Sequence, residues 1–368
     1  MSASGMLAIA GGGTGGHVMP ALALAEGARK RWPDLHVQFI GAERGLEASL
    51  LPARGEKDVL LLGMHGVKGA GWRQQLRVLL WELPCAVRAI LRHWRKQRPN
   101  VVVGVGGYAS ASGVIAGLIA RVPIVLYEQN AVPGLVNRLL SRVADKIMLG
   151  LPGGERFFAA RKCLLTGNVV RSSLHGLLYK PHDPPCLLVM GGSQGARFLN
   201  ERMPQTCARL MSMGMSFSVL HLAGRDEREA DRVREAYRKA GLEAKVLGFS
   251  DDMRAVYRLA DVVVARSGAM SVSELALCGL PALFVPFPAA THDHQYHNAR
   301  VLVDAGAALV CRQEQADSER LADMLAPLLR DPKRRKAMSQ AALVAAVPDA
   351  IERQLAVLEA YLHAEEAA

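Results

Sequence analysis

A short apolar strand followed by a glycine loop and a helix occurs twice in this chain. In the first half Leu7–Ala10 leads into Gly11–Gly16, and in the second half Leu187–Met190 leads into Gly191–Gly195. Glycines let the backbone turn tightly and approach an anion, and the following helix supplies unpaired N–H groups and a positive dipole. The repeat predicts two α/β domains, each with a ligand-binding end.

Further apolar strands alternate with helical sequence in both halves. The other strand candidates are Val37–Ile40, Val101–Gly104, Ile124–Tyr127, Ser218–Leu222, Lys245–Leu247, Val262–Ala265 and Ala282–Val285, and helices are predicted over Pro20–Lys30, Trp72–Arg98, Ser112–Arg121 and Arg197–Met213. This alternation predicts parallel sheets covered on both faces and wound in both directions. We therefore predict an α/β fold of two doubly wound, Rossmann-like domains facing across a cleft. They span residues 1–166 and 167–348, and helix 349–363 packs back on the first.

Composition limits the class of protein. Hydrophobic residues make up 50% of the chain and charged residues 21%, which is typical of a globular protein. No apolar run reaches the roughly 18–20 residues of a membrane span, and the N-terminus lacks the basic start of a signal peptide. We expect a cytoplasmic protein.

The excess of positive charge is confined to one half. The whole net charge of +11 arises within residues 1–162, and it is densest between residues 65 and 98. There, apolar and cationic side chains alternate in a pattern suited to an anionic membrane surface; the candidate contacts are Lys68, Trp72, Arg73, Leu76, Arg77, Leu80 and Trp81. A solvated face on a core helix is the alternative. Nucleic-acid binding is not expected, because no nucleic-acid-binding module accompanies the charge.

The first glycine loop has an alternative interpretation. Gly11, Gly13 and Gly16 satisfy GxGxxG, which is typical of dinucleotide-dependent oxidoreductases. The acid expected at the end of the second strand is missing there, since that strand ends at Gly41-Ala42. Dinucleotide binding also does not explain His17, directly after the loop.

Two other glycine loops and a second helix start extend the pattern. Loops Gly104–Tyr108 and Gly191–Gly195 also follow strands, so more than one phosphate-bearing group is expected. After strand Val262–Ala265, a helix is predicted to begin near Ser271, where its N–H groups would receive phosphate. Glu274 would then accept hydrogen bonds from a ribose, or alternatively act as a capping-box acid.

These motifs together resemble the MurG family. They are Gly12–Pro20 (GGTGGHVMP), Gly106-Gly107-Tyr108, Glu128-Gln129-Asn130, Gly167–Arg171 (GNVVR), Gly191–Ala196 (GGSQGA), Arg266–Glu274, and His294-Gln295 with Asn298. They occur in family order across nearly the whole chain. Tyr127, where the family commonly has histidine, and Ala109–Gly113 depart from the pattern.

The resemblance implies a fold, a reaction and a location. MurG-family enzymes have the two-domain GT-B fold. They transfer N-acetylglucosamine from UDP-N-acetylglucosamine to the 4-hydroxyl of the muramoyl sugar of lipid I, forming lipid II, at the cytoplasmic face of the inner membrane. Another GT-B enzyme, such as a glycolipid galactosyltransferase or a sugar-nucleotide epimerase, is the alternative.

The resemblance also implies site residues. Donor contacts are expected at Thr14, Gly15, Gly16, Asn130, Arg171, Ser193, Ser250, Ala269, Met270, Ser271, Val272, Ser273, Glu274, Gln295 and Asn298, and acceptor contacts at Gly106, Gly107 and Tyr108. Arg171 and Ser193 would bind the diphosphate, Glu274 the ribose and Gln295 the sugar hydroxyls. The backbone at Ser250 would contact the uracil.

An inverting transfer needs a base for the acceptor hydroxyl and stabilisation of the leaving UDP. His17 is the first candidate base because imidazole titrates near neutral pH, and Glu128 is the second. No metal or other cofactor is expected: there is no DxD signature, and Asp251-Asp252 is predicted to start a helix. Helix N-termini and Arg171 would then stabilise the leaving group.

Overall fold

Strand and helix alternate throughout the part of the chain that the structure describes. The structure is a computed structural model and describes residues 5–13, 15–65, 71–192 and 195–363. It divides into two compact units, Met1–Val169 with Asp349–Ala368, and Val170–Pro348. The sequence had placed the boundary after residue 166, and it had placed 349–363 with the first domain.

The first unit contains a seven-stranded parallel sheet of order β3-β2-β1-β4-β5-β6-β7. Its elements are β1 (Met6–Ala10), α1 (Gly15–Arg31), β2 (His36–Ala42), α2 (Glu47–Ala53), β3 (Val59–Leu62), α3 (Trp72–Arg77), a π-helical turn (Val78–Glu82), α4 (Leu83–Trp94), β4 (Val101–Gly104), α5 (Tyr108–Ile119), β5 (Ile124–Glu128), α6 (Leu135–Leu140), β6 (Lys146–Leu149) and β7 (Cys163–Leu165).

The second unit contains a six-stranded parallel sheet of order β10-β9-β8-β11-β12-β13. Its elements are β8 (Cys186–Met190), α7 (Arg197–Ser212), β9 (Ser218–Leu222), α8 (Glu227–Lys239), β10 (Lys245–Leu247), α9 (Met253–Arg258), β11 (Val262–Ala265), α10 (Ala269–Leu277), β12 (Ala282–Phe284), α11 (His294–Asp304), β13 (Ala308–Val310), α12 (Ser318–Arg330) and α13 (Pro332–Ala345). The chain then returns to the first unit as α14 (Ala350–Leu362), which packs on α1.

Both faces of the first sheet are covered. Along β1, Leu7 and Ile9 join a core that includes residues of α1 and α14, whereas Ala8 and Ala10 join a core that includes residues of α4. Successive strand side chains point to opposite faces, so a strand buried on both sides is apolar throughout. The predicted α/β class with two doubly wound parallel sheets is confirmed.

Strand order places the two candidate loops of each unit together. In the first sheet β1 lies between β2 and β4, and in the second β8 lies between β9 and β11. The winding reverses at these points, and ligands of such sheets bind there, beyond the carboxyl ends of the strands. The loops after β1 and β4, and those after β8 and β11, are therefore the candidate sites.

Candidate active site

His17 lies in the first turn of α1, which begins at Gly15 and not at Pro20 as predicted. Its Nδ1 is 3.2 Å from the carbonyl oxygen of Gly12. A carbonyl can only accept, so Nδ1 carries the proton and Nε2 of the neutral ring is the basic nitrogen. This tautomer suits a general base.

Gly106 and Gly107 bring the loop after β4 against the loop after β1. Both have left-handed backbone angles, with φ of 98° and 81°. A Cβ at Gly107 would lie 2.5 Å from the carbonyl oxygen of Gly12, and one at Gly106 would lie 3.0 Å from Nε2 of His17. Only glycine permits this approach, so the predicted acceptor loop lies beside the imidazole.

The N-terminus of α5 faces the same loop. The helix begins at Tyr108, earlier than the predicted Ser112, and its N-cap residue Gly107 supplies no side-chain hydrogen bond. The first N–H groups of a helix have no intrahelical acceptor and attract anions. Gly106, Gly107 and Tyr108 thus form a helix start of the kind that binds phosphate.

The loop after β1 already contacts a carboxylate of the protein. Gly13 N–H donates to Oε2 of Glu47 at 2.7 Å, and Ala42 N–H donates to Oε1 at 2.9 Å. Glu47, in the first turn of α2, is only 1% exposed. The sequence had predicted a phosphate at this loop. At Gly13 the Glu47 carboxylate accepts the N–H group that a phosphate would have accepted. This contact also argues against binding of a dinucleotide pyrophosphate at this loop.

Glu128, the second candidate base, accepts four hydrogen bonds. Oε1 receives the backbone and side-chain N–H groups of Asn130, at 3.0 and 3.2 Å. Oε2 receives Gly134 N–H at 3.2 Å and Asn137 Nδ2 at 2.9 Å. The carboxylate is 2% exposed. Its contacts are those of a group that organises the loop after β5, and they extend to Asn130, a predicted donor contact.

A buried acid and a cation meet beside α10 in the second unit. Nε of Arg171 is 3.2 Å from Oε1 of Glu274, and the Tyr257 hydroxyl donates to Oε2 at 2.8 Å. Burial raises the pKa of the Glu274 carboxyl, although Arg171 and Tyr257 act in the opposite direction. The sequence predicted Arg171 and Glu274 as separate contacts of diphosphate and ribose, and the structure joins them in one pair. The sequence analysis did not predict Tyr257, for which no sequence signal exists.

The N-terminus of α10 is open to an anion. The helix begins at Ala269 rather than Ser271, its N-cap residue Gly268 makes no side-chain cap, and its first turn has no acid. Glu274 therefore lies too far into the helix for the capping-box alternative. The predicted donor contacts Ala269, Met270, Ser271, Val272 and Ser273 form this start, with the Val272 side chain fully buried. Ser267 Oγ, just before it, is buried without a hydrogen-bond partner.

The remaining predicted donor contacts have different surroundings. Ser250 lies just before α9, which Asp252 caps as predicted. Gln295 Oε1 accepts Phe287 N–H at 2.9 Å, at the start of α11. Asn298 is fully buried and donates to the Ser267 carbonyl at 3.2 Å, so it supports the loop before α10 from inside. Gly15 and Gly16 open α1. Thr14, Ser193 and Lys68 lie outside the described residues.

The basic segment predicted as one helix over Trp72–Arg98 is helical without a gap from Trp72 to Trp94, and it contains a π-helical turn. This turn separates α3 from α4 and leaves Leu79, Leu80 and Trp81 exposed, with Trp72 and Trp81 each 70% exposed. Glu82 in the same turn is buried, and it accepts from His65 N–H and Nδ1 at 2.9 and 3.0 Å. Arg77 Nε is 3.4 Å from Glu82. The segment thus buries a charge and exposes apolar side chains.

Other apolar side chains are exposed on the helices that follow. Sequence reasoning missed Leu118 and Ile119 at the end of α5, and Leu135 and Leu139 on α6. The spacing of Leu135 and Leu139 around Arg138 was a usable signal, because residues four apart share a helix face. None of the described helices is long and apolar enough to span a membrane.

Family models match both units. The N-terminal domain model of glycosyltransferase family 28 matches residues 7–149, and its C-terminal domain model matches residues 186–354. The chain therefore belongs to the family 28 glycosyltransferases.

Individual relatives define the family more closely. The chain is 44% identical over 340 residues to a protein of Anaeromyxobacter sp. strain Fw109-5, covering 91% of this chain and 87% of that one. It is 40% identical over 355 residues to a protein of Syntrophotalea carbinolica, covering 95% and 97%. Both are named UDP-N-acetylglucosamine--N-acetylmuramyl-(pentapeptide) pyrophosphoryl-undecaprenol N-acetylglucosamine transferase. The crystal structure of Acinetobacter baumannii MurG matches with TM-score 0.79 and 28% identity, covering 97% of this chain and 99% of that one. The chain belongs to the MurG family, as its motifs predicted.

Proposed function

We propose that this protein transfers N-acetylglucosamine from UDP-N-acetylglucosamine to the 4-hydroxyl of the muramoyl sugar of lipid I, giving lipid II. The names of its relatives state a transfer between these reactants. The observation that carries the proposal is the Arg171–Glu274 pair beside the uncapped start of α10. It combines a carboxylate for ribose hydroxyls with a cation and helix N–H groups for a diphosphate.

His17 is the proposed base. Its Nε2 takes the proton of the 4-hydroxyl as that oxygen bonds to C1 of the donor sugar, and the bond from C1 to the diphosphate oxygen breaks toward UDP. The support is the tautomer defined by Nδ1 and Gly12 and the nearness of the Gly106 loop. Glu128 is less suited because its oxygens already accept four hydrogen bonds.

A transfer assay tests the reaction. Labelled UDP-N-acetylglucosamine and a short-chain lipid I analogue are expected to yield a labelled disaccharide lipid with release of UDP. Two outcomes would contradict the proposal. Conversion of the nucleotide sugar to its 2-epimer without acceptor would indicate an epimerase, and reduction of NAD would indicate the oxidoreductase alternative.

We further propose that transfer needs no metal ion. Arg171 and the N–H groups of α10 stabilise the departing diphosphate charge. In the same assay, saturating chelator is expected to leave most of the activity. Complete loss that magnesium or manganese restores would overturn this proposal, and a known metal-dependent glycosyltransferase assayed beside it controls for the chelator.

We also propose that the enzyme works at the cytoplasmic face of the inner membrane, bound peripherally by α3 and the π-helical turn. The support is the exposure of Trp72, Leu76, Leu80 and Trp81 beside Arg73, whose guanidinium lies 5.4 Å from the Trp72 ring centroid. Exposed apolar side chains with nearby arginines suit an anionic lipid surface.

Arg73→Glu changes the charge by two units, so it is expected to weaken sedimentation with anionic vesicles by about 30-fold, at roughly 1 kcal/mol per charge near the surface. Added salt should have the same effect by screening. Arg77 is a poorer choice because its reversal would place a second carboxylate beside Glu82. The control is Arg228→Glu, exposed in the second unit. Vesicle binding that survives both salt and Arg73→Glu would mean that the segment is a solvated helix face.

A further inference from the structure

Glu47 occupies a space that three glycines leave open. A Cβ added at Gly12, Gly41 or Gly45 would lie within 2.1 to 2.5 Å of the Glu47 side chain. The glycines come from the loop after β1, from β2 and from the segment before α2. No side chain other than hydrogen fits beside the carboxylate at any of them, so the fold is built around this buried acid.

The carboxylate is connected to His17 through a single peptide group. Glu47 Oε2 accepts the N–H of Gly13 at 2.7 Å, and the carbonyl of that same peptide unit, from Gly12, accepts Nδ1–H of His17 at 3.2 Å. The order is carboxylate, peptide N–H, peptide C=O, imidazole. Hydrogen bonds in such a chain polarise one another, so the negative charge makes the Gly12 oxygen a better acceptor.

We propose that Glu47 is a positioning residue for the transfer reaction, acting on His17 through the Gly12–Gly13 peptide. It holds that peptide in the orientation in which its carbonyl accepts from Nδ1, and so keeps Nε2 as the basic nitrogen. It also favours the imidazolium that forms when Nε2 takes the proton. The proposal rests on the proposed function, in which His17 is the base.

Both carboxylate oxygens are needed for this arrangement. Oε1 accepts from Ala42 N–H at 2.9 Å while Oε2 accepts from Gly13. An amide at this position has only one acceptor, so Glu47→Gln would direct an NH₂ group at one of two N–H donors. The substitution keeps the volume and removes the charge, which tests the connection without opening a cavity.

The expected result is a turnover about 10- to 100-fold lower in Glu47→Gln, the usual effect of losing a partner that orients a catalytic side chain. The affinity for UDP, measured by calorimetry, should be unchanged, because Glu274 and Arg171 belong to the other unit. Glu26→Gln is the matched control, since it removes a carboxylate from the same helix as His17, where Glu26 forms an exposed ion pair with Lys30 at 3.3 Å.

A double variant separates positioning from a general structural role. If Glu47 acts through His17, then His17→Ala with Glu47→Gln should turn over no more slowly than His17→Ala alone. Losses that multiply would overturn the proposal, as would a Glu47→Gln enzyme with the turnover of the wild type. Loss of turnover together with UDP affinity in Glu47→Gln would also overturn it. If instead His17→Ala itself keeps normal turnover, the proposed base fails, and the role of Glu47 fails with it.

A second variant moves the carboxylate without changing it. Gly45→Ala puts a Cβ within 2.3 Å of the Glu47 carboxyl group, at a position whose backbone does not need a positive φ. It should reproduce the turnover loss of Glu47→Gln. The control is Gly63→Ala, whose Cβ would meet its nearest neighbour, Oε2 of Glu43, at 3.7 Å. Normal turnover in folded Gly45→Ala would contradict the proposal.

Discussion

Replacing His17 by alanine is expected to lower turnover by about 10²–10⁴-fold, the usual contribution of a positioned general base. The reason is that the Gly12 carbonyl fixes the proton on Nδ1, which leaves Nε2 as the basic nitrogen beside the Gly106 loop. The acidic limb of the pH–rate profile should disappear with the imidazole, because protonation of that ring is what removes the base at low pH.

The measurement is single-turnover transfer to a soluble lipid I analogue, with UDP affinity determined in parallel. His36→Ala is the control, since His36 lies in the same unit and bonds Asp58 at 2.7 Å. A large fall in UDP-N-acetylglucosamine affinity would make His17 a binding residue. Near-normal turnover would leave the transfer driven by departure of UDP without a single base.

Glu274→Gln is expected to weaken binding of UDP-N-acetylglucosamine by about 1–3 kcal/mol, or about 5- to 150-fold. The ribose hydroxyls lose a charged acceptor, and Arg171 loses the negative charge 3.2 Å from its Nε. Glutamine is preferred to alanine because the buried Tyr257 hydroxyl, which donates to Glu274 at 2.8 Å, still finds an acceptor.

Lowering the pH should weaken UDP binding by the wild-type protein, as Glu274→Gln does. Burial raises the pKa of Glu274 above its ordinary value, so the carboxylate form is present above that raised pKa and is lost as the pH falls through it. Calorimetry of UDP binding over the pH range in which Glu274 takes up its proton should show affinity falling for the wild type and staying level for Glu274→Gln. Glu319→Gln, at an exposed pair with Arg209, is the control. Unchanged UDP affinity in folded Glu274→Gln would remove Glu274 from the site.

Buried strands were the most predictable part of the fold. Val101–Gly104 and Val262–Ala265 have the bounds that the sequence predicted, because runs of β-branched residues between loops suit a strand buried on both faces. The edge strand β7 has mostly exposed side chains and was not predicted. Its three residues are apolar, but a run this short does not distinguish a strand from a loop or a helix segment.

At the loops after β1, β4 and β11, the first residue of the helix was predicted too far along the chain. The helices α1, α5 and α10 begin at Gly15, Tyr108 and Ala269, directly after or within the glycine motifs. Glycine is a poor helix former, so sequence reasoning assigns it to a loop. At a first turn that cost is outweighed by close approach to a neighbouring loop, which depends on tertiary structure.

The motif residues of the site were predicted from sequence, but their partners were not. Glu47 lies 34 residues from Gly13, and Tyr257 lies 17 residues from Glu274. Neither spacing is that of neighbours on one helix or strand, so only the folded chain brings them together. Both missed residues are buried and hydrogen-bonded to residues of the motifs.

In the π-helical turn, attachment to the first unit and contact with the surroundings fall to different residues. Val78 and Glu82 attach it to the first unit, whereas Leu79, Leu80 and Trp81 are exposed and add little to the core. Within this one turn the buried residues and the exposed residues are therefore different ones. Evolution can exchange the exposed side chains to suit different surroundings while the anchoring residues, and the stability that depends on them, stay unchanged.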